Sequence, residues 1–301
     1  MTERRLTALV AAVLGLMGSS CVPDFVDDTT RVTAPRVLGI QAEPAEAGKN
    51  VEVTLTALVA VPPGVEAPLP AWSLCIDRKP LSELGPVSTR CLVGPDPGAD
   101  IATQVDPGPP AHATLPEDVC QLFGPNRPDP KPGEPSGRPV DPDTTGGFYQ
   151  PVLAWLGPEP VLGSVRLACD LIGAPPQIGQ EYKQRYRPNQ NPQLLAFEAL
   201  RNDGSTLVLS DDEVHEVRAA ERMRLRVTWP DCPEEGECGG AERYVVYDPL
   251  SQTLGERTEK FVVTWYSTGG VLAESRTERA FGGDGEPGGT LDTWTAPGSG
   301  A

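Results

Sequence analysis

Apolar and polar residues alternate from Val51 to Ala60. Val51, Val53, Leu55, Ala57 and Val59 fall on one side, and Glu52, Thr54, Thr56 and Leu58 on the other. A period of two is that of a β-strand with one face buried. The pattern returns at Met223, Leu225, Val227 and Trp229, separated by Arg224, Arg226 and Thr228. A similar opening precedes each run: PRVLGIQA at 35–42 aligns without gaps with PQLLAFEA at 192–199. After each run comes a strand-like stretch with a tryptophan, PAWSLCID around Trp72 and FVVTWYSTGG around Trp265. Two copies of one β unit account for this recurrence, and two copies make a tandem of domains.

Local signals conflict between Ser210 and Trp229. Ser210-x-x-Glu213 has the form of a capping box, and Val214, Val217, Ala219 and Ala220 would continue it as a helix. The strict alternation after Met223 is not helical, so the expectation is strand, a turn at 219–221, and strand. Residues 94–147 are crowded with proline, as in GPNRPDPKPGEPSGRPVDPD. Proline has no N–H for a ladder, so this stretch is expected to be a long surface insertion, pinned where Cys120 lies. FYQPVLAWLG and GSVRLACDLIGA then return to strand patterning and are expected to complete the first unit, with Cys169 on its last strand.

Composition fits many short strands with frequent turns: Gly and Pro number 32 and 34 of 301 residues, and long amphipathic helical stretches are few. An all-β fold follows, as a sandwich or a barrel.

The N-terminus runs Met1-Thr-Glu-Arg4-Arg5, then Leu6 to Met17 almost unbroken apolar, then Gly18-Ser19-Ser20-Cys21. Positive, apolar, then small is the layout of a secretory signal peptide. The apolar stretch is well short of the roughly 20 residues that cross a bilayer as a helix. Gly18 and Ser20 suit ordinary signal peptidase. A cysteine straight after the cut instead resembles a bacterial lipobox, in which that cysteine receives diacylglycerol; Gly18 stands where a lipobox usually carries Leu.

Seven cysteines, at 21, 75, 91, 120, 169, 232 and 238, leave one thiol over in an exported chain. If Cys21 carries a lipid, six remain and can pair completely in an oxidising compartment. Six allow 15 connectivities; the pairing expected is between neighbours, Cys75 with Cys91, Cys120 with Cys169, and Cys232 with Cys238. There is no C-x-x-C, and His112 and His215 are the only histidines, so structural disulfides are preferred to a metal site. No metal or cofactor is expected.

Removing residues 1–20 takes Glu3, Arg4 and Arg5 from 42 acidic and 25 basic residues, leaving 41 and 23, a net charge of −18. So acidic a chain repels phosphate backbones, and no basic stripe is present, so no nucleic-acid partner is expected. No EF-hand loop, phosphate loop, dinucleotide fingerprint or G-x-S-x-G occurs. Carboxylate pairs of the glycosidase kind are too easily produced by chance among 41 acids to point to catalysis. The five tryptophans, at 72, 155, 229, 265 and 294, are read as core rather than as a sugar platform.

PRVLGIQAEPAEAGKNVEVTLTALV in the first unit, and VTWYSTGGVLAESRTE followed by TWTAP in the second, resemble the Ig-like or PKD-like β-sandwich modules of exported bacterial lipoproteins. More narrowly, the chain is similar to uncharacterised lipid-anchored proteins of Gram-negative soil bacteria, a likeness that brings no activity with it. It implies two tandem Ig-like β-sandwich domains: a signal peptide at 1–20, a lipid-anchored tether at 21–34, domain 1 at 35–187 with its insertion at 94–147, and domain 2 at 188–301. In such modules W-x-A-P precedes two more strands, whereas here Ala301 follows four residues later. Either earlier strands close the second sandwich or an open sheet edge is left to accept a partner's strand.

The function expected is that of a lipid-anchored cell-envelope protein, a non-catalytic binding or scaffold module whose partner is another envelope or secreted protein. The alternative is a carbohydrate-active or other hydrolytic enzyme of the envelope. Val22, rather than Asp, follows the cysteine, which in the sorting pattern of the lipoproteins it resembles points to the outer membrane.

Overall fold

The computed structural model describes residues 29–79, 85–106, 108–125, 132, 145–210, 213–232, 239–283 and 286–299. The chain is all-β. Its first half holds β1 (Arg36–Glu43), β2 (Glu46–Ala47), β3 (Glu52–Ala60), β4 (Ala71–Cys75), β5 (Ala102–Gln104), β6 (Ala111–Thr114), β7 (Gly147–Trp155) and β8 (Pro160–Ala168), with a short helix α1 (Val119–Leu122). A ten-residue helix, α2 (Pro176–Arg185), follows. The second half holds β9 (Ala196–Leu200), β10 (Thr206–Val208), β11 (Arg222–Trp229), β12 (Arg243–Asp248), β13 (Thr253–Thr258), β14 (Val262–Thr264), β15 (Val271–Leu272), β16 (Arg276–Glu278), β17 (Phe281–Gly283) and β18 (Glu286–Thr295).

Each sheet draws its strands from one half. The first half has a three-stranded sheet, β1-β3-β6, and a five-stranded sheet, β2-β8-β7-β4-β5. Alternation on β3 buries Val53 and Leu55 completely and leaves Leu58 64% exposed. Those two residues, with Val37 and Ala42 of β1, meet Trp72 and Leu74 of β4, Val152 and Ala154 of β7 and Val165 and Leu167 of β8 in one core. Two sheets face each other across these side chains, as in a β-sandwich. Gly163 on β8 permits the approach: a Cβ there would lie 2.9 Å from Ile40 of β1.

The second half is built on the sheet β10-β9-β11-β18-β15, with β17 also paired to β18, beside two separate ribbons, β12-β13 and β14-β16. Its core gathers Val227 and Trp229 of β11 around Trp265, with Phe261, Val263 and Leu272 packed against them. The aligned openings behave alike. β1 pairs antiparallel with the alternating strand β3, and β9 pairs antiparallel with the alternating strand β11.

Several expectations are corrected. Residues 94–147 are not one surface insertion. β5 extends the five-stranded sheet, β6 extends the three-stranded one, and Val105, Ala111, Ala113, Leu115 and Val119 are buried in the first core. His112 therefore lies on a strand, with its side chain exposed beside Glu52. The proline-richest part, 126–131 and 133–144, lies outside the described residues. Residues 213–218 form neither helix nor strand, and Val214 is 96% exposed; the turn at Ala219–Ala220 leads straight into β11. Cys169 sits one residue beyond β8 rather than on it.

The expected tether is not free along its whole length. Arg31 bridges in parallel to Ser267, Val32 N–H donates to Ser267 O at 2.8 Å, and Val32 is 2% exposed. Arg36 then lies 5.1 Å over the Tyr266 ring. The start of the described chain is thus bound to the second half before the chain enters β1. At the other end, β18 is central, covered by β11 on one side and by the earlier strands β15 and β17 on the other. The edges of that sheet lie elsewhere, at β10, β15 and β17.

A polar cleft between the halves

Strand register sets up a buried ion pair in the first half. β2 runs parallel to β8 with Glu46 opposite Arg166, and β7 runs antiparallel to β8 with Tyr149 opposite Arg166. Residues opposite one another across a sheet share a face. Glu46, Arg166 and Tyr149 therefore form a row across three strands. Arg166 Nε donates to Glu46 Oε2 at 3.1 Å, and Nη1 donates to the Tyr149 hydroxyl at 3.1 Å, with the guanidinium 5.9 Å from the Tyr149 ring centre. Nη2 reaches Thr145 Oγ1 at 3.2 Å. Gly147 leaves room for this guanidinium, since a Cβ there would collide with it.

The segment after α2 completes the coordination of Glu46, whose side chain is 1% exposed. The Tyr186 hydroxyl donates to Oε1, and Asn189 N–H donates to Oε2 at 3.0 Å. A buried carboxylate survives only with such a set of partners. Asn191 Nδ2 donates to Ala42 O at 2.7 Å and to Glu43 Oε2 at 2.8 Å. α2 is held by the Tyr182 hydroxyl donating to Thr145 O at 2.8 Å and by Arg185 donating to Glu256 of β13 at 2.8 Å.

The opposite wall comes from the second half. Tyr244 and Val245 of β12, with Glu242, Glu259, Lys260 and Phe261 beside the ribbon, close a cleft of about 470 Å³ against Glu46, Tyr149, Arg166 and Tyr186. Gln190 N–H donates to Glu242 Oε2 at 3.2 Å, and Glu259 N–H donates to Glu242 O at 2.9 Å. Burial pushes the Glu259 carboxyl above the usual range, and the charge of Glu242 adds to the rise.

The residues singled out from sequence lie away from this cleft. Cys75 is bonded to Cys91 with both sulfurs buried among Val87, Leu153 and Trp155, and Cys120 of α1 is bonded to Cys169 after β8. Cys232 is disulfide-bonded as well, whereas Cys21 and Cys238 lie outside the described residues. Trp72, Trp155, Trp229 and Trp265 are buried. The Trp155 indole N–H donates to Ser73 Oγ at 3.3 Å, that of Trp265 to Thr277 Oγ1 at 2.7 Å, and that of half-buried Trp294 to Gly269 O at 2.9 Å. His112 and His215 stand in different halves, the latter within 2.8 Å of Val208 O. Among the described residues there is no group of three or more His, Cys, Asp or Glu placed to hold a metal, and no helix long and apolar enough to cross a membrane.

No family model, curated protein or solved structure matches this chain. What the cleft does must therefore come from its own chemistry. It offers carboxylates, guanidinium groups, amides and aromatic rings on two walls that belong to different sheets. Sequence reading missed Glu46, Tyr149, Arg166 and Tyr186. Glu46 and Arg166 are 120 residues apart, and no spacing links them before the sheet is built.

Proposed function

We propose that the protein is held at the cell envelope by a lipid on Cys21 and acts there as a non-catalytic binding module of two Ig-like β-sandwiches. Disulfide usage carries the reading. Five of the seven cysteines, at 75, 91, 120, 169 and 232, are in disulfides, which persist in oxidising compartments outside the cytosol. Export agrees with the positive, apolar and small order of residues 1–20, and Cys21 stands where a lipobox places its acylated residue. The tandem is supported by the two aligned openings, each pairing antiparallel with an alternating strand, and by sheets that do not mix the halves. The cleft supplies a recessed surface for a ligand.

The test is fractionation of cells producing the wild type and Cys21→Ser, with mass spectrometry of the N-terminal peptide. The wild type is expected in the membrane fraction with a diacylglyceryl group on Cys21, and the variant in the soluble fraction. Membrane retention of Cys21→Ser, or an unmodified wild-type Cys21, would overturn the anchor.

A further inference from the structure

Trp72, Trp155, Trp229 and Trp265 are spent on the cores, and the indole donors of Trp155, Trp265 and Trp294 are satisfied internally, but the cleft has aromatic rings of its own. Tyr149, Tyr186, Tyr244 and Phe261 all line it. Tyr149 is half exposed, and its position is fixed from behind: Arg166 lies against the ring and donates to its hydroxyl, while Arg166 is clamped by Glu46. The cost of ordering that ring is met when the protein folds, so a ligand laid against it does not bear it again.

The charges around the rings nearly cancel. Three glutamates face three guanidinium groups and one ammonium along the same lining. A strongly anionic or cationic ligand meets repulsion as well as attraction there. A ligand rich in hydroxyls, each both donor and acceptor, finds partners of both kinds among carboxylates, cations and the amides of Asn189 and Gln190. A volume of about 470 Å³ lies within the usual range of small-molecule sites. Flat apolar faces beside dense hydrogen-bonding groups of both signs suit a sugar ring, which has an apolar C–H face and a polar rim.

We propose that this cleft binds a neutral oligosaccharide, with Tyr149 as the stacking platform and the polar side chains of both walls holding its hydroxyls. The inference rests on the reading of the protein as a binding module and deepens it. The anchor is independent, since fractionation of Cys21→Ser comes out the same whether or not a sugar binds.

The test uses the mature protein and a panel of neutral hexasaccharides: β-1,4-linked glucose, α-1,4-linked glucose, β-1,4-linked N-acetylglucosamine and β-1,4-linked mannose. Binding is read by saturation-transfer NMR and isothermal titration. At least one member is expected to bind. Tyr149→Ala is expected to weaken it tenfold or more, and Tyr149→Phe, which keeps the ring, by threefold or less. Tyr244→Ala on the facing wall provides a second variant should Tyr149→Ala prove unfolded by circular dichroism, and it too is expected to weaken binding. Absence of binding across the panel, or binding unchanged in both folded alanine variants, would overturn the proposal. Unchanged hydrolysis-free recovery of the bound sugar is expected; its cleavage would overturn the non-catalytic reading while leaving the site in place. A charged peptide that binds the cleft while every sugar fails would replace the oligosaccharide with a peptide ligand.

Discussion

Arg166 and Glu46 stand opposite each other in parallel register and share a hydrogen bond of 3.1 Å, with the carboxylate almost wholly out of water. The pair joins β2 to β8, and through Tyr186 and Asn189 the same carboxylate holds the segment that leads into the second half. One acidic side chain thus ties together a sheet and the chain between the halves.

Removing that carboxylate leaves the Arg166 charge partly buried without the carboxylate it is hydrogen-bonded to. Breaking a buried pair from one side costs about 3–5 kcal/mol. Arg166 is 18% exposed and keeps Thr145 and Tyr149, which places Glu46→Ala near the lower end of that range. Equilibrium urea unfolding should show a loss of about 3 kcal/mol. Limited proteolysis should open first at 186–192, where Tyr186 and Asn189 have lost their acceptor.

The two described disulfides should differ in accessibility. Cys75 and Cys91 are completely buried, whereas Cys120 and Cys169 are half-buried. Under native conditions a small thiol reductant should open Cys120–Cys169 first and reach Cys75–Cys91 only on unfolding, as timed alkylation and mass spectrometry would show. Cys120–Cys169 closes a loop of 49 residues against 16 for the other bond. In the chain-entropy model these are worth about 4 and about 3 kcal/mol. Replacing Cys120 and Cys169 together by Ala should lower stability by about 4 kcal/mol.

Strands with a strong period were legible in the sequence. Val53 and Leu55 repeat at every second position among polar residues, and the tryptophans at 72, 155, 229 and 265 are large enough that only a core buries them. β5 and β6 were missed because prolines at 107, 109 and 110 separate them and because Ala102, Ala111 and Ala113 bury little apolar surface each. α2 escaped for a related reason. Tyr182 is its one buried residue, so PQIGQEYKQR shows no apolar stripe, and its signals were confined to its ends, a proline in the first turn and Lys183 and Arg185 in the last. Val214 and Val217 misled in the opposite direction, being apolar residues that pack on nothing periodic. The cleft was illegible for a different reason. Glu46 sits in AEPAEAGKN, where no pattern distinguishes it from Glu43, and only the parallel register of a two-residue strand brings it to Arg166.

Asp292 gives the clearest dependence on pH. It lies on the central strand β18 opposite Leu225, 4% exposed. Its Oδ1 accepts the Glu274 N–H at 3.1 Å, while Oδ2 is buried with no hydrogen-bond partner among the described residues. Burial raises its pKa above the usual aspartate value, and the charge of Glu274 adds to the rise. In the unfolded chain the carboxyl ionises in the ordinary range. Below that range both states are protonated and Asp292 carries no penalty. As pH rises through its raised native value, the folded protein must hold a poorly solvated charge, and stability falls. Asp292→Asn keeps the acceptor for Glu274 and removes the charge. It should therefore stabilise the protein at neutral pH by on the order of 1 kcal/mol. The gain should shrink to nothing below the ordinary aspartate range, as paired urea titrations of wild type and variant at neutral and acid pH would measure. Equal gains at both pH values would mean that the charge of Asp292 is not what destabilises β18.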